Sequence, residues 1–434
     1  MKLLTRLVRR QAASLIRIAC LLLLATAGVG SHVRAVGVHH LAPVPRGARP
    51  PSAALVATIH VGPSPTVLGV DERNGRVFVL NQGRQSGPYL TGPGTMSMLD
   101  AATGAISWTT TLGFDPYGLA VDGRNGRAFI VSAGRRTVNG MPTSQAKLTV
   151  LDSRTGRLVV THPGVGGLTV DEAAGRVYLA RDNGAISGGV DVLDAASGRV
   201  LRHIPGPFGG AITVDPRAHR AFVSNSDGGF TVLDTAQETV LGTTLAALNP
   251  QLASVDTRAA RVFYFSGGDT PHLGHLNALD ARSGAFRYDF QTGQGYPNVA
   301  AVDERLGRVY VDVTNGPTPT GIAALDSATG RESHITPLGQ VGFPTTPNGA
   351  QSIAADEVHG QVFVLTVPFT LDHNGVPRHG PARLVMFDAA TGAVSSSVGV
   401  GKDPQAVVVD TRLRRVFVAD RGDDTVSVFD ATKL

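Results

Sequence analysis

Two histidines and an aspartate crowd one short stretch, Asp372-His373-Asn374-Gly375-Val376-Pro377-Arg378-His379. Imidazole and carboxylate are the groups that ligate a divalent metal or move a proton near neutral pH. A second pair, His272-x-x-His275, has the same potential. Neither set shows a third ligand or a helix that would hold two histidines on one face. A divalent metal therefore stays an open expectation, with His272 and His275 as the metal pair and Asp372, His373, His379 and His272 as ligands or bases. Arg84, Arg135, Arg136, Lys147, Arg378 and Arg383 could receive a carboxylate, an anionic sugar or an acidic protein segment, and Tyr89 adds an aromatic ring. Arg421-Gly422-Asp423 spells a tripeptide that some adhesion receptors recognise, although a Gly/Asp turn produces it readily. The chain has no Gly-x-Ser-x-Gly elbow, P-loop or dinucleotide fingerprint.

The elements that must position these residues are written in a repeat. Val70-Asp71-Glu72-Arg73-Asn74-Gly75-Arg76-Val77-Phe78-Val79 returns in variants whose aspartates are Asp71, Asp122, Asp171, Asp215, Asp256, Asp303, Asp356 and Asp410, 41 to 54 residues apart. That period is the length of a four-stranded propeller blade. Each copy is a short apolar run, a turn at Asp and a second strand, with Asp accepting turn amides and Gly free to take positive φ. An aromatic follows at Phe78, Phe129, Tyr178, Phe222, Phe263, Tyr310, Phe363 and Phe417, placed to pack between neighbouring sheets. A second aspartate turn closes the third strand at Asp100, Asp152, Asp194, Asp234, Asp280, Asp326, Asp388 and Asp430. The third strands, such as Leu148-Thr149-Val150-Leu151, are apolar on both sides, which suits sheets covered on both faces. With 53 Gly, 26 Pro and no helical periodicity, the class is all-β.

After Asp430 only four residues remain, so the last repeat lacks its outer strand. Residues 55–61 form an apolar strand that precedes the first repeat and belongs to none. Joining the two predicts a single propeller of eight four-stranded blades over residues 55–434, closed by the N-terminal strand, which removes two open sheet edges.

Phrases such as Arg308-Val309-Tyr310-Val311, Arg415-Val416-Phe417-Val418-Ala419-Asp420 and Thr425-Val426-Ser427-Val428-Phe429-Asp430 resemble the YVTN-type β-propeller repeat of secreted and surface bacterial proteins. The resemblance covers about residues 55–434. It implies the propeller fold and leaves function open, because that group holds surface proteins as well as lactonase-like, lyase and metalloenzyme propellers. Two features depart from it. A Val-Asp turn ending in Gly-Arg replaces the family's Pro-Asp-Gly turn, and seven blades are more usual than eight, so seven is the alternative count.

In a propeller both aspartate hairpins lie on one face, and the connections between second and third strands lie on the other. From repeat aromatic to second aspartate those connections measure 22, 23, 16, 12, 17, 16, 25 and 13 residues in blades one to eight. In a closed ring the long ones, in blades seven, one and two, surround short-looped blade eight. The linker from Asp326 to Asp356 adds to that sector. Variable loops on a rigid scaffold are where function usually sits. A cleft is expected between residues 81–97, 132–147, 336–352 and 366–383, with 420–424 at its floor. The sixteen turn aspartates and the arginines after the first turn are expected to be structural.

The net charge of +5 comes from the first 35 residues, which hold Lys2, Arg6, Arg9, Arg10, Arg17 and Arg34 and no acid; without those six cations the rest carries −1. A near-neutral body with no basic block argues against nucleic acid. Residues 1–35 read as a signal peptide or N-terminal anchor and 36–54 as a Pro-rich linker, so the destination is the periplasm, the cell surface or the medium, with membrane attachment only if the segment stays uncleaved. The single cysteine, Cys20, lies in that leader and leaves the body without disulfide or thiol chemistry. Two functions follow. One is an exported, monomeric bacterial scaffold presenting the loop-rich sector to a protein or carbohydrate partner. The other is a propeller hydrolase or lyase using a divalent metal near the central channel.

Overall fold

A computed structural model describes residues 54–86, 89–134, 137–138, 141–142, 146–164, 166–181, 188–206, 208–225, 228–245, 250–267, 273–294, 297, 299–315, 318–344, 352–372 and 376–434. The leader and all but the last residue of the linker lie outside these. The repeat builds eight antiparallel sheets. Blades one to seven span 65–111, 116–163, 168–205, 208–245, 251–294, 300–337 and 353–399, and blade eight spans 404–430. Among the described residues the one helical element is a single 3-10 turn, Arg421–Asp423.

Each blade meets the next through its repeat aromatic, and all eight aromatics are fully buried. Phe78 of blade one packs with Ala128 and Ile130 of blade two, and Phe129 packs with Val177 and Leu179. Tyr178, Phe222, Phe263, Tyr310 and Phe363 repeat this around the ring. Phe417 of blade eight then packs with Val77 and Val79 of blade one. Burying each ring contributes about 2–3 kcal/mol. The count is eight, not seven, because that last cluster closes the ring.

Strand exchange between the two ends of the propeller also closes the ring. The strand Leu55–His60 pairs antiparallel with Thr425–Asp430 and becomes the outer strand of blade eight, while Ala57 and Ile59 pack onto the cluster around Phe417. Ala54, the last linker residue by sequence, is already buried and accepts the Asp430 N–H at 2.8 Å.

The two aspartate turns of a blade are built as one unit. Every first-turn Asp accepts the backbone N–H three residues on, from Asn74 to Asp71 in blade one to Leu413 to Asp410 in blade eight. The residue after each second-turn Asp then donates its N–H to the carbonyl of the left-handed residue closing the first turn. This bond runs from Ala101 to Gly75 in blade one and from Ala431 to Arg414 in blade eight, both at 2.9 Å. Five blades place Gly at the left-handed position, while His219, Ala260 and Arg414 take it with φ of 51–53°. All eight second-turn carboxylates are held below the usual carboxylate range. Burial alone would raise Asp280, yet Arg287 and Ser283 bring it down to about 2.

The repeat arginines serve within and between blades. Arg127, Arg220, Arg261 and Arg415 pair with the second-turn Asp of their own blade. Arg127, Arg261 and Arg308 also donate to turn carbonyls of the next blade at Ala196, Ala328 and Ala389. Sequence reading did not single out a glutamate beside the first-turn Asp. Glu72, Glu172 and Glu304 each accept the corresponding N–H of the preceding blade, at Thr411, Gly123 and Thr257.

The glycine of the second turn has a further role. At five junctions a side chain of one blade's outer strand lies on the next blade's second-turn glycine, as Trp108 does on Gly156 and Tyr288 on Gly330. A Cβ on Gly156 would sit 2.6 Å from the indole, at a φ of +68°. Gly175, by contrast, has φ +64° and nothing within 4 Å of its Cβ position.

Two stability predictions follow from this packing. Deleting residues 55–62 opens a sheet edge and uncovers the Phe417 cluster, so the melting temperature should fall by roughly 5–10 °C; unchanged melting would rule out the strand-exchange closure. Gly156→Ala should cost about 2–4 kcal/mol and red-shift the emission of Trp108, the single tryptophan, whereas Gly175→Ala should cost only about 1 kcal/mol and leave it unmoved.

Candidate functional site

The connections of blades one, two and seven are not open loops. In blade one Gln85–Ser86 pairs with Tyr89–Leu90, and in blade two Thr137–Val138 pairs with Met141–Pro142. Blade seven goes furthest: its second strand, Gln361–Leu371, runs 11 residues. Register with the blade ends at Thr366, paired with Arg383. Beyond it, Val367 and Pro368 pair with Gly342 and Val341 of the linker, and Phe369, Thr370 and Leu371 pair with His379, Arg378 and Pro377. The extra residues extend the ribbon about 16 Å past the blade. Beyond the blade Leu371 is 47% and Val376 54% exposed.

The chemically versatile residues of this ribbon are partly engaged. Asp372 closes the hairpin: its Oδ1 accepts the Val376 N–H at 3.0 Å, and its Oδ2 accepts from Arg378 at 3.4 Å. His379 is exposed, with its ring 6.1 Å from Phe369. His373 lies outside the described residues. Arg84 is exposed, and its carbonyl accepts the Thr91 N–H at 2.8 Å. Arg383 donates to the Ser397 hydroxyl and carbonyl, both at 2.7 Å. Arg135 and Arg136 lie outside the described residues, as does the side chain of Tyr89.

The second histidine pair sits elsewhere. His275 is on the third strand of blade five, two blades from the ribbon, with Nδ1 2.6 Å from Asp289 Oδ2; His272 lies outside the described residues. Among the described residues no three histidine, cysteine or acidic side chains converge as a metal site would require.

At the expected floor, Arg421-Gly422-Asp423 is a structural turn. Arg421 Nε donates to Asp403 Oδ2 at 2.7 Å, and Asp423 Oδ2 accepts the Lys402 N–H at 2.8 Å. Asp424, with φ of 55°, accepts from Val61 and Ser64 and ties the start of blade one to blade eight. Beside it Asp420 is fully buried. Burial pushes its carboxyl up to about 6, against the stabilising donation from the Ser427 hydroxyl at 2.6 Å.

One charged group escaped the sequence reading. In blade three Asp191, only 2% exposed, receives the Arg181 guanidinium on Oδ2 and His203 Nδ1 on Oδ1 at 2.7 Å. This arrangement fixes an imidazole by one nitrogen, the geometry of an oriented proton acceptor. A signal existed: Arg181 ends the second strand where Asn81, Ser132, Asn225, Ser266, Thr366 and Asp420 stand in other blades.

No protein-family model matches the chain, and no curated protein does. The likeness is to solved propellers. The Cps50 (Swd1) β-propeller domain of Myceliophteria thermophila aligns with TM-score 0.52 and 10% identity, covering 87% of this chain and 98% of that one. BamB from Moraxella catarrhalis gives 0.51 and 14%, covering 87% and 99%. The C-terminal WD40 domain of Sif2 gives 0.56 and 11%, covering 87% and 97%. Identities this low establish the fold alone.

The buried Asp420 carries a pH signature. Its carboxyl takes up a proton more readily folded than unfolded, so the strain of a buried charge is present above about pH 6 and relieved as pH falls toward 4. Asp420→Asn should therefore stabilise the protein by about 1–3 kcal/mol at pH 7.5, with the gain shrinking toward zero by pH 4.5 in urea titrations. A pH-independent difference would exclude the buried-charge account.

Proposed function

We propose that this chain is an exported propeller of the YVTN-like kind that acts as a binding scaffold, offering the sector around blade seven to a protein or carbohydrate partner. The observation that carries the reading is the blade-seven ribbon. Five residues beyond the blade would not be kept in strand register by the ring's own packing; a linker strand on one side and Pro377–His379 on the other hold them. The exposed Leu371 and Val376 stand beyond the blade, where a fold needs no apolar side chains. Among the described strands Pro377–His379 pairs on one side only, which leaves a backbone edge and favours a protein that adds a strand to it.

A ribbonless chain tests this directly. Replacing residues 370–378 by Asn-Gly should leave the melting temperature within about 2 °C, because the ribbon adds nothing to the inter-blade clusters. Affinity capture from the host's culture medium and a glycan array should then recover a binder with the intact chain and lose it with the ribbonless one. Leu371→Asp with Val376→Asp should weaken the same binding at least tenfold. Equal binding by intact and ribbonless chains would overturn the reading.

A further inference from the structure

The face opposite the ribbon carries a second feature. A depression of about 360 Å³ lies between the turns of blades one and two, lined by Asn74, Arg76, Arg124, Arg127, Asp152 and Arg154 together with neighbouring turn residues. Four guanidinium groups and one carboxylate share it, and Arg127 takes that carboxylate at 3.2 Å. The other three are oriented by neutral groups or by none. Arg76 donates to the Ser153 hydroxyl at 3.1 Å and Arg124 to the Glu172 carbonyl at 3.1 Å, while Arg124 and Arg154 are exposed. Among the described residues none of the three has a carboxylate within 4.0 Å.

The acids nearby are occupied beneath the rim. Asp71 and Asp122 are buried and face Asn74 and Asn125 of their own turns, and Glu172 is bonded to the Gly123 N–H. Local departures from the repeat make the opening. Where blades one, three, six and seven carry Glu72, Glu172, Glu304 and Glu357, blade two has Gly123. Its junction with blade one is joined instead by the neutral Asn74 amide, bonded to the Gly123 carbonyl at 2.9 Å. Where five blades have Ala two residues after the second-turn Asp, blade two has Arg154. Blade five repeats that arginine as Arg282, but Thr257 stands where blade two has glycine. Four blades lack the acid and two of these add the cation, but only at the junction of blades one and two does a glycine accompany the added arginine, and there the depression leaves room for a ligand.

The geometry points to this junction as a binding site for a small multivalent oxyanion bearing phosphate or sulfate groups. Guanidinium forks match such oxygens two at a time, and a fork already anchored by one nitrogen loses little freedom on binding. The site is on the face opposite the blade-seven ribbon and does not rest on the scaffold reading.

Isothermal titration of the full chain with pyrophosphate and, separately, with a disulfated disaccharide at about 50 mM salt tests it. Saturable binding of one or both probes is expected, and which probe binds more tightly separates a phosphate from a sulfated-sugar source. Arg124→Gln with Arg154→Gln, both exposed and outside the clusters that hold the blades together, should weaken that binding at least tenfold with unchanged melting. Arg378→Gln on the opposite face should leave it as it was. No saturable binding of either probe, equal binding by the double variant, or equal loss in Arg378→Gln would overturn the proposal.

Discussion

Every sheet of this ring is covered on both faces only because the last blade meets the first. Seven inter-blade clusters could be stacked along an open arc, but the two end sheets would then expose one apolar face each, together with an unpaired strand edge. The packing of Phe417 on Val77 and Val79 removes the exposed faces, and the pairing of Leu55–His60 with Thr425–Asp430 removes the edge. Closure thus sets the tolerance for the whole molecule. A blade cannot thicken or tilt without disturbing a neighbour that is constrained from its other side.

That constraint falls unevenly on the two faces. On the turn face the chain reverses twice per blade, and each reversal is pinned by Asp-to-amide bonds, by a bond between the two turns, and at five junctions by the preceding blade's outer strand lying on the second turn. Little can vary there without a clash, and blade two alone combines a glycine after the first-turn Asp with an arginine in the second turn. On the opposite face the second strands simply end. Their extensions meet no neighbour that must be satisfied, which is why blade seven can grow a ribbon while blade eight turns back in a single 3-10 turn.

The charges follow the same division. Second-turn carboxylates sit among donors that favour the ionised form, whereas Asp420 is buried at the other end of blade eight beside the acidic Asp423 and is pushed the opposite way. One residue type, used throughout the repeat as a turn acceptor, becomes an internal strain where the repeat's turn is absent. The Asp191–Arg181–His203 group shows a third outcome, in which a buried carboxylate is matched by a guanidinium and an oriented imidazole.

The repeat by itself determined the fold class and pointed to eight blades and the manner of closure, since local turn chemistry and a fixed aromatic position recur with a period that only stacked four-stranded sheets satisfy; the packing of Phe417 on blade one decided eight against seven. It also foretold the turn roles of the sixteen aspartates. The candidate site was legible only as loop lengths. Spacing showed that blades one, two and seven have long connections; it did not show that they fold into ribbons, that Asp372 is spent on its own hairpin, or that His275 lies two blades from His379. Nor did it reveal that Arg124 and Arg154 line one depression with Arg76 and Arg127. Such meetings join residues from different turns or blades, and their proximity is created by ring closure and by the lean of each blade on the next. Short-range sequence patterns encode the conformation of a segment, whereas the grouping of side chains from different segments is decided by tertiary packing.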